Sequence, residues 1–99
     1  MVRHIVTWSY KDGFTDKEKD EIAQKLKSRL EALPEFIGGI IEIKVYINLP
    51  SSSSRDLTLN SLFESEEALS AYQEHPEHQK VRSYVKSVMQ ERICIDYRE

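Results

Sequence analysis

Two kinds of hydrophobic spacing take turns along this chain, and their order limits the fold more than any other feature. Val2-Arg-His-Ile-Val-Thr-Trp-Ser-Tyr10 alternates, with Val2, His4, Val6, Trp8 and Tyr10 on one face and Ile5 among smaller and polar residues on the other. A period of two, rich in β-branched and aromatic residues, predicts a strand. After the "KDGF" break, Thr15-Asp-Lys-Glu18 has the spacing of a capping box, whose hydroxyl and carboxylate satisfy the opening amides of a helix. Ile22, Ala23, Leu26, Leu30 and Leu33 follow as an apolar stripe at helical spacing, and Pro34 ends it. Gly38-Gly39 lets the chain turn into a second strand, Ile40 to Ile47. There Ile41, Ile43, Val45 and Ile47 share one face, and Glu42, Lys44 and Tyr46 the other.

A polar loop, "NLPSSSSRD", leads to a third expected strand from Asp56 to Phe63. Ser65 with Glu66 and Glu67 opens a helix, the hydroxyl as cap and the acids at the positive end of the dipole. Ala68, Leu69 and Tyr72 supply its buried side. Pro76 pushes His75 away from helical angles but suits the first turn of a new helix, so the second helical region is broken in two. Val81, Tyr84, Val85, Val88 and Met89 give the resumed helix its stripe, and Arg92 to Tyr97 reads as the last strand.

The resulting order, β-α-β-β-α-β, predicts an α+β protein with a four-stranded antiparallel sheet and helices on one side, the split β-α-β arrangement. The uncovered face then carries Ile5, Ile40, Tyr46, Leu62 and Cys94 mixed with Arg3, Glu42, Lys44 and Arg92. That face is too apolar for plain solvent and too charged for a dry core. It predicts a homodimer packed sheet against sheet through isologous contacts. One bulge would exchange the two faces.

Ninety-nine residues allow one domain, spanning 1–99. A net charge of -3, with basic residues scattered among acids, gives no electrostatic reason to bind nucleic acid or an acidic membrane surface. Cys94 is the one cysteine, so no internal disulfide forms and a reducing compartment is the simpler setting. Between Ile93 and Ile95 it reads as a small buried hydrophobe. No apolar run is long enough for a signal peptide or a membrane span, and the expected location is cytoplasmic.

The segment "AYQEHPEHQKV", Ala71 to Val81, concentrates the chemistry. Tyr72 faces inward with Ala68 and Leu69, His78 lies in the first turn after Pro76, and His4 sits on the apolar face of the first strand. The three can meet in a cleft between sheet and helices, where a neutral imidazole beside a phenol exchanges protons near neutral pH. A polar cluster in an apolar cleft also suits a small-molecule ligand. The competing reading is structural: a first-turn histidine caps backbone groups, and a buried tyrosine ties its hydroxyl to a carbonyl. For a metal, His75 and His78 are three apart, but Pro76 between them breaks the register that would align them. Neither a metal nor a cofactor is expected, and Gly-rich phosphate loops, paired cysteines and Ser-His-Asp spacing are absent from the sequence.

The run "DLTLNSLFESEEALSAYQEHPEHQKV", from Asp56 to Val81, resembles the stress-responsive α/β-barrel (Dabb) family. The opening "VRHIVTWSYKDGFT" and the closing "ICIDY" match as well. The Phe-Glu-Ser helix start and the Tyr-x-x-His-Pro-x-His run together carry the likeness. The resemblance implies a ferredoxin-like fold and a homodimer whose two sheets form a barrel, the dimeric α/β barrel. The family includes stress proteins that assemble into rings, and a plant polyketide cyclase. In that cyclase the Tyr and the second His of the run carry an aldol condensation. By motif these fall on Tyr72 and His78, with a strand-one histidine of the pocket on His4. Leu57 stands where the cyclase has a further pocket histidine.

The expectation is a homodimer that binds a small, largely apolar carbonyl-containing or phenolic molecule. In an enzyme, His78 would be the general base, Tyr72 the donor to the developing oxyanion and His4 the group that orients substrate. Two alternatives stand beside it: a structural stress or assembly protein without catalysis, and a cofactor-free monooxygenase-like barrel.

Overall fold

The computed structural model describes residues 1–99. Its elements are β1 (Val2–Tyr10), α1 (Asp16–Glu31), a 3-10 turn (Leu33–Glu35), β2 (Ile40–Tyr46), β3 (Leu57–Phe63), α2 (Glu66–Glu74), α3 (Pro76–Val88) and β4 (Met89–Arg98). The strands form one antiparallel sheet in the order β2-β3-β1-β4. This is the split β-α-β arrangement expected from the hydrophobic pattern and the ferredoxin-like fold that the family resemblance implies, with the second helix divided at His75.

Local chemistry sets the ends of the elements. The Glu18 amide donates to the Thr15 hydroxyl at 3.2 Å and the Thr15 amide to the Glu18 carboxylate at 2.9 Å, closing the capping box. Ser65 caps α2 through the Ala68 amide at 3.1 Å. Gly39 has φ +84°, and a Cβ there would come within 2.8 Å of the Ala68 Cβ, so both the turn and the approach of α2 require glycine. The β2 edge is blunted by α1: Lys27 donates to the Val45 carbonyl at 2.8 Å, and Glu31 accepts from the Val45 amide at 2.9 Å. The core lies between helices and sheet. Ile22, Leu26 and Leu30 of α1 and Tyr72, Val81 and Val85 of α2 and α3 pack over Val6, Val45, Leu59 and Phe63.

Two bulges correct the expected faces. Thr7 pairs with Ile93 but Ser9 pairs with Gln90, so β4 carries one extra residue opposite Trp8. Glu91 adopts φ 55° there, and its carbonyl accepts from Arg55 Nε at 3.0 Å. Past this bulge the parity reverses. Cys94 and Asp96 stand on the helix side, opposite Val6 and His4, and Arg92 turns toward the helices as well. Cys94 is therefore neither on the open face nor a buried hydrophobe: it is exposed, where the helices stop short of β4. The second shift lies between Ile40 and Glu42 in β2. It turns Ile40 against the core opposite Phe63 and leaves Ile41 46% exposed, the reverse of the expected pair.

The open face consists of Ile5, Leu62, Tyr46, Ile93, Ile95 and Tyr97 around a charged centre. Arg3 donates to Glu42 at 3.0 Å, to Glu99 at 3.0 Å and to Asn60 at 2.9 Å. Ile95 is 57% exposed, an unusual state for a β-branched hydrophobe in a paired strand.

Candidate active site

A cavity of about 370 Å³ opens between β1, the start of β4, and the α2–α3 pair. Trp8, Leu59, Val85 and Met89 give it apolar walls; Arg82, Lys86 and Arg92 bring cationic side chains to it. The β4 bulge forms part of the wall, since Gln90, Glu91 and Arg92 all line the space. A bulge beside a cavity re-aims side chains that a regular ladder would hold in the sheet.

The fold brings His4, Tyr72 and His78 together at one end of this cavity. Tyr72 projects from the last turns of α2, is 0% exposed, and packs on Phe63 with ring centroids 4.8 Å apart. The His78 ring lies 4.2 Å from the Tyr72 ring, tilted by 36°. His4, from β1, meets Tyr72 edge-on at 6.4 Å and Phe63 at 6.1 Å. Pro76 makes the arrangement possible, because it restarts the helix at an angle that folds His78 back over Tyr72.

Hydrogen bonds assign the ring nitrogens. His78 Nδ1 lies 3.3 Å from the Gln73 carbonyl, which can only accept, so the proton sits on Nδ1 and the Nε2 lone pair is the basic site. Burial lowers the His78 pKa from its ordinary value; the Gln73 carbonyl opposes this, and the charges of Arg82 and Arg92 add to it. The imidazole is thus held neutral and able to accept a proton at neutral pH. Burial pushes the Tyr72 phenol far up, with Arg92 acting in the opposite sense, so Tyr72 is a donor and not a phenolate. The Tyr72 hydroxyl has no hydrogen-bond partner in the protein although it is buried.

Two groups near the site were not foreseen. Asp96 accepts from His4 Nδ1 at 2.5 Å and so orients that ring. Cys94 Sγ lies 3.6 Å from the same Nδ1 and 3.5 Å from the Asp96 carboxylate. Burial and then the Asp96 charge raise the Cys94 pKa, while Arg92 works against the rise. No local pattern announces these neighbours, because they reach His4 only through the shifted register of β4. His75 is used differently from His78: its Nδ1 accepts from the Glu77 amide at 3.1 Å and caps α3.

Fold and cavity together define a ferredoxin-like α+β protein with a half-enclosed ligand-sized space on the helix side of its sheet. Residues 2–99 match the stress responsive A/B barrel domain family (Dabb), and the chain belongs to that family. A dimeric protein of unknown function and ferredoxin-like fold from Bacteroides fragilis is 30% identical, with 99% of this chain and 95% of that one covered and a TM-score of 0.91. Hydroxynitrile lyase from Passiflora edulis is 19% identical over 97% of this chain and 90% of its own, with a TM-score of 0.76. A putative antibiotic biosynthesis monooxygenase from Nitrosomonas europaea is 16% identical, covers 100% and 98%, and has a TM-score of 0.77. These last two likenesses establish the fold alone. No curated protein matches the chain. No helix is long and apolar enough to cross a membrane.

Proposed function

We propose that this protein is a homodimer that binds a small, largely apolar carbonyl-containing or phenolic molecule in the His4–Tyr72–His78 cavity and moves a proton on it. His78 Nε2 removes a proton next to the carbonyl, and the Tyr72 hydroxyl donates to the oxygen as negative charge develops there. His4, oriented by Asp96, positions the ligand. One observation carries the reading: the Tyr72 hydroxyl is buried and unpartnered. Leaving such a group unsatisfied costs about 1–3 kcal/mol. A tyrosine kept only for packing would tie its hydroxyl to a carbonyl, or would serve as well as phenylalanine.

Dimerisation through the open sheet face is supported by the exposed Ile93, Ile95, Tyr97 and Tyr46 and by the dimeric state of the Bacteroides protein. The contact would enclose the Arg3–Glu42–Glu99 cluster at its centre.

The assembly reading has its own support. His78 reaches back across the α2–α3 joint to the Gln73 carbonyl and His75 caps α3 at the joint, as struts would. Thermal unfolding with a panel of phenolic acids, β-polyketo acids and hydroxynitriles separates the two. The binding reading expects a compound that raises the midpoint of the wild type but not of His78→Ala. If no compound shifts the wild type, His78→Ala melts clearly earlier and the protein sediments well above a dimer, the assembly reading replaces it. The monooxygenase alternative rests on fold likeness alone.

A further inference from the structure

We propose that His4, Cys94 and Asp96 form a binding site for zinc(II), with its fourth coordination position open. Their ligand atoms, one nitrogen, one sulfur and one oxygen, all lie within 4.8 Å of one another. Two of the three edges already have the dimensions of one face of a coordination tetrahedron. Zinc bonds of about 2.3 Å to sulfur and about 2.0–2.1 Å to nitrogen or oxygen set sulfur-to-nitrogen and sulfur-to-oxygen edges of roughly 3.5–3.6 Å. The two edges at Cys94 are 3.6 Å to His4 Nδ1 and 3.5 Å to Asp96 Oδ1. The third edge, His4 Nδ1 to Asp96 Oδ1, is 2.5 Å because a proton holds the pair together. Replacing that proton by the metal opens this edge to roughly 3.3 Å for tetrahedral zinc. Asp96 has room to move, since its side chain is 40% exposed.

The framework is fixed by the sheet and not by a loop. Cys94 and Asp96 alternate on one face of β4, and His4 is the direct cross-strand partner of Asp96. The β4 bulge is what turns both toward His4. Chemistry selects the metal: a thiolate disfavours magnesium and calcium, and the mixed nitrogen, sulfur and oxygen set suits zinc. One thiolate and one carboxylate also neutralise a divalent cation. The exposure of Cys94 supplies the entry path.

Binding has a consequence for the cavity. In the metal-free chain His4 carries its proton on Nδ1, so Nε2 offers a lone pair. With zinc on Nδ1, the thiol proton leaves to solvent, and the ring proton moves to Nε2. The nitrogen not held by the metal becomes a donor. Metal occupancy thus exchanges an acceptor for a donor at the ring that lines the cavity. The site itself does not depend on the role given to Tyr72 and His78.

Cobalt(II) is the probe, added to reduced protein freed of metal with chelator. The expected result is one cobalt per chain, intense visible bands of tetrahedral cobalt, a thiolate charge-transfer band in the near ultraviolet, and displacement by zinc. Cys94 is the sole cysteine, so the charge-transfer band reports it directly. Cys94→Ser should abolish that band. Asp96→Asn should weaken binding by more than the roughly 10–100-fold typical of losing an outer partner. Both should keep the wild-type circular dichroism, and His75→Ala should keep the band. The proposal is overturned by weak octahedral cobalt bands without charge transfer, by a stoichiometry of one metal per two chains, or by unchanged affinity in Asp96→Asn.

Discussion

The joint between α2 and α3 and the cavity beneath it come from the same short segment, yet they use their polar groups in opposite ways. At the joint the ring nitrogen of His75 is spent on the Glu77 amide, and Gln79 donates to the Gln73 carbonyl at 2.7 Å. These bonds serve the fold, capping the start of α3 and tying it to the end of α2. In the cavity the Tyr72 hydroxyl is buried without a partner, and His78 commits only Nδ1 to the backbone. The difference shows where the chain carries a cost that folding alone does not explain. Such conflicts between local satisfaction and burial belong at functional sites.

The comparison can be broken most severely at the Tyr72 ring. Tyr72→Ala empties a core position packed on Phe63 and His78, and the expected loss is about 3–5 kcal/mol in urea denaturation. A loss under about 1 kcal/mol would mean that the ring is not part of the core.

His75→Ala comes next. It removes the α3 cap and should cost about 1 kcal/mol, with His75→Asp or His75→Ser restoring it because those side chains cap well. Any ligand-induced rise in the midpoint should be unaffected in all three. A change in ligand response would show that the joint and the cavity are not separate.

A smaller effect lies in the pH dependence. Burial depresses the His78 pKa below 6.5 in the folded state, so between that lowered value and 6.5 the unfolded chain binds more protons. The contribution is fully present above pH 6.5 and is lost as the pH falls through this window. Denaturation midpoints should therefore drop below pH 6.5 in the wild type and less steeply in His78→Gln. Equal slopes would remove His78 from the half-buried, neutral role.

Much of this was legible from residue spacing, for physical reasons that are local. Thr15 and Ser65 announce helix starts because a cap needs only its own next turn. Tyr72 and His78 are close because Pro76 fixes the break between them, and His4 follows from the parity of β1. The contents of the β4 face were not legible. The spacing sets Met89 in the helical stripe and Cys94 and Arg92 on the open face, whereas Met89 opens β4 facing inward and the bulge after it puts Ile93, Ile95 and Tyr97 outward. Pairing with β1 determines that bulge, and Glu91 enters positive φ without the glycine that would have signalled it. Asp96 and Cys94 were therefore missed as neighbours of His4. Ile40 and Ile41 exchanged places for the same reason, at the shift in β2.

The most direct test of the central claim removes one oxygen atom. If the Tyr72 hydroxyl is kept for a ligand and not for the fold, Tyr72→Phe measured without ligand by urea denaturation should match the wild type or exceed it by up to about 1 kcal/mol. The slope of the transition should be unchanged. A clear loss, of about 1 kcal/mol or more, would contradict the account, since it would mean that the hydroxyl already holds a hydrogen bond that stabilises the folded chain.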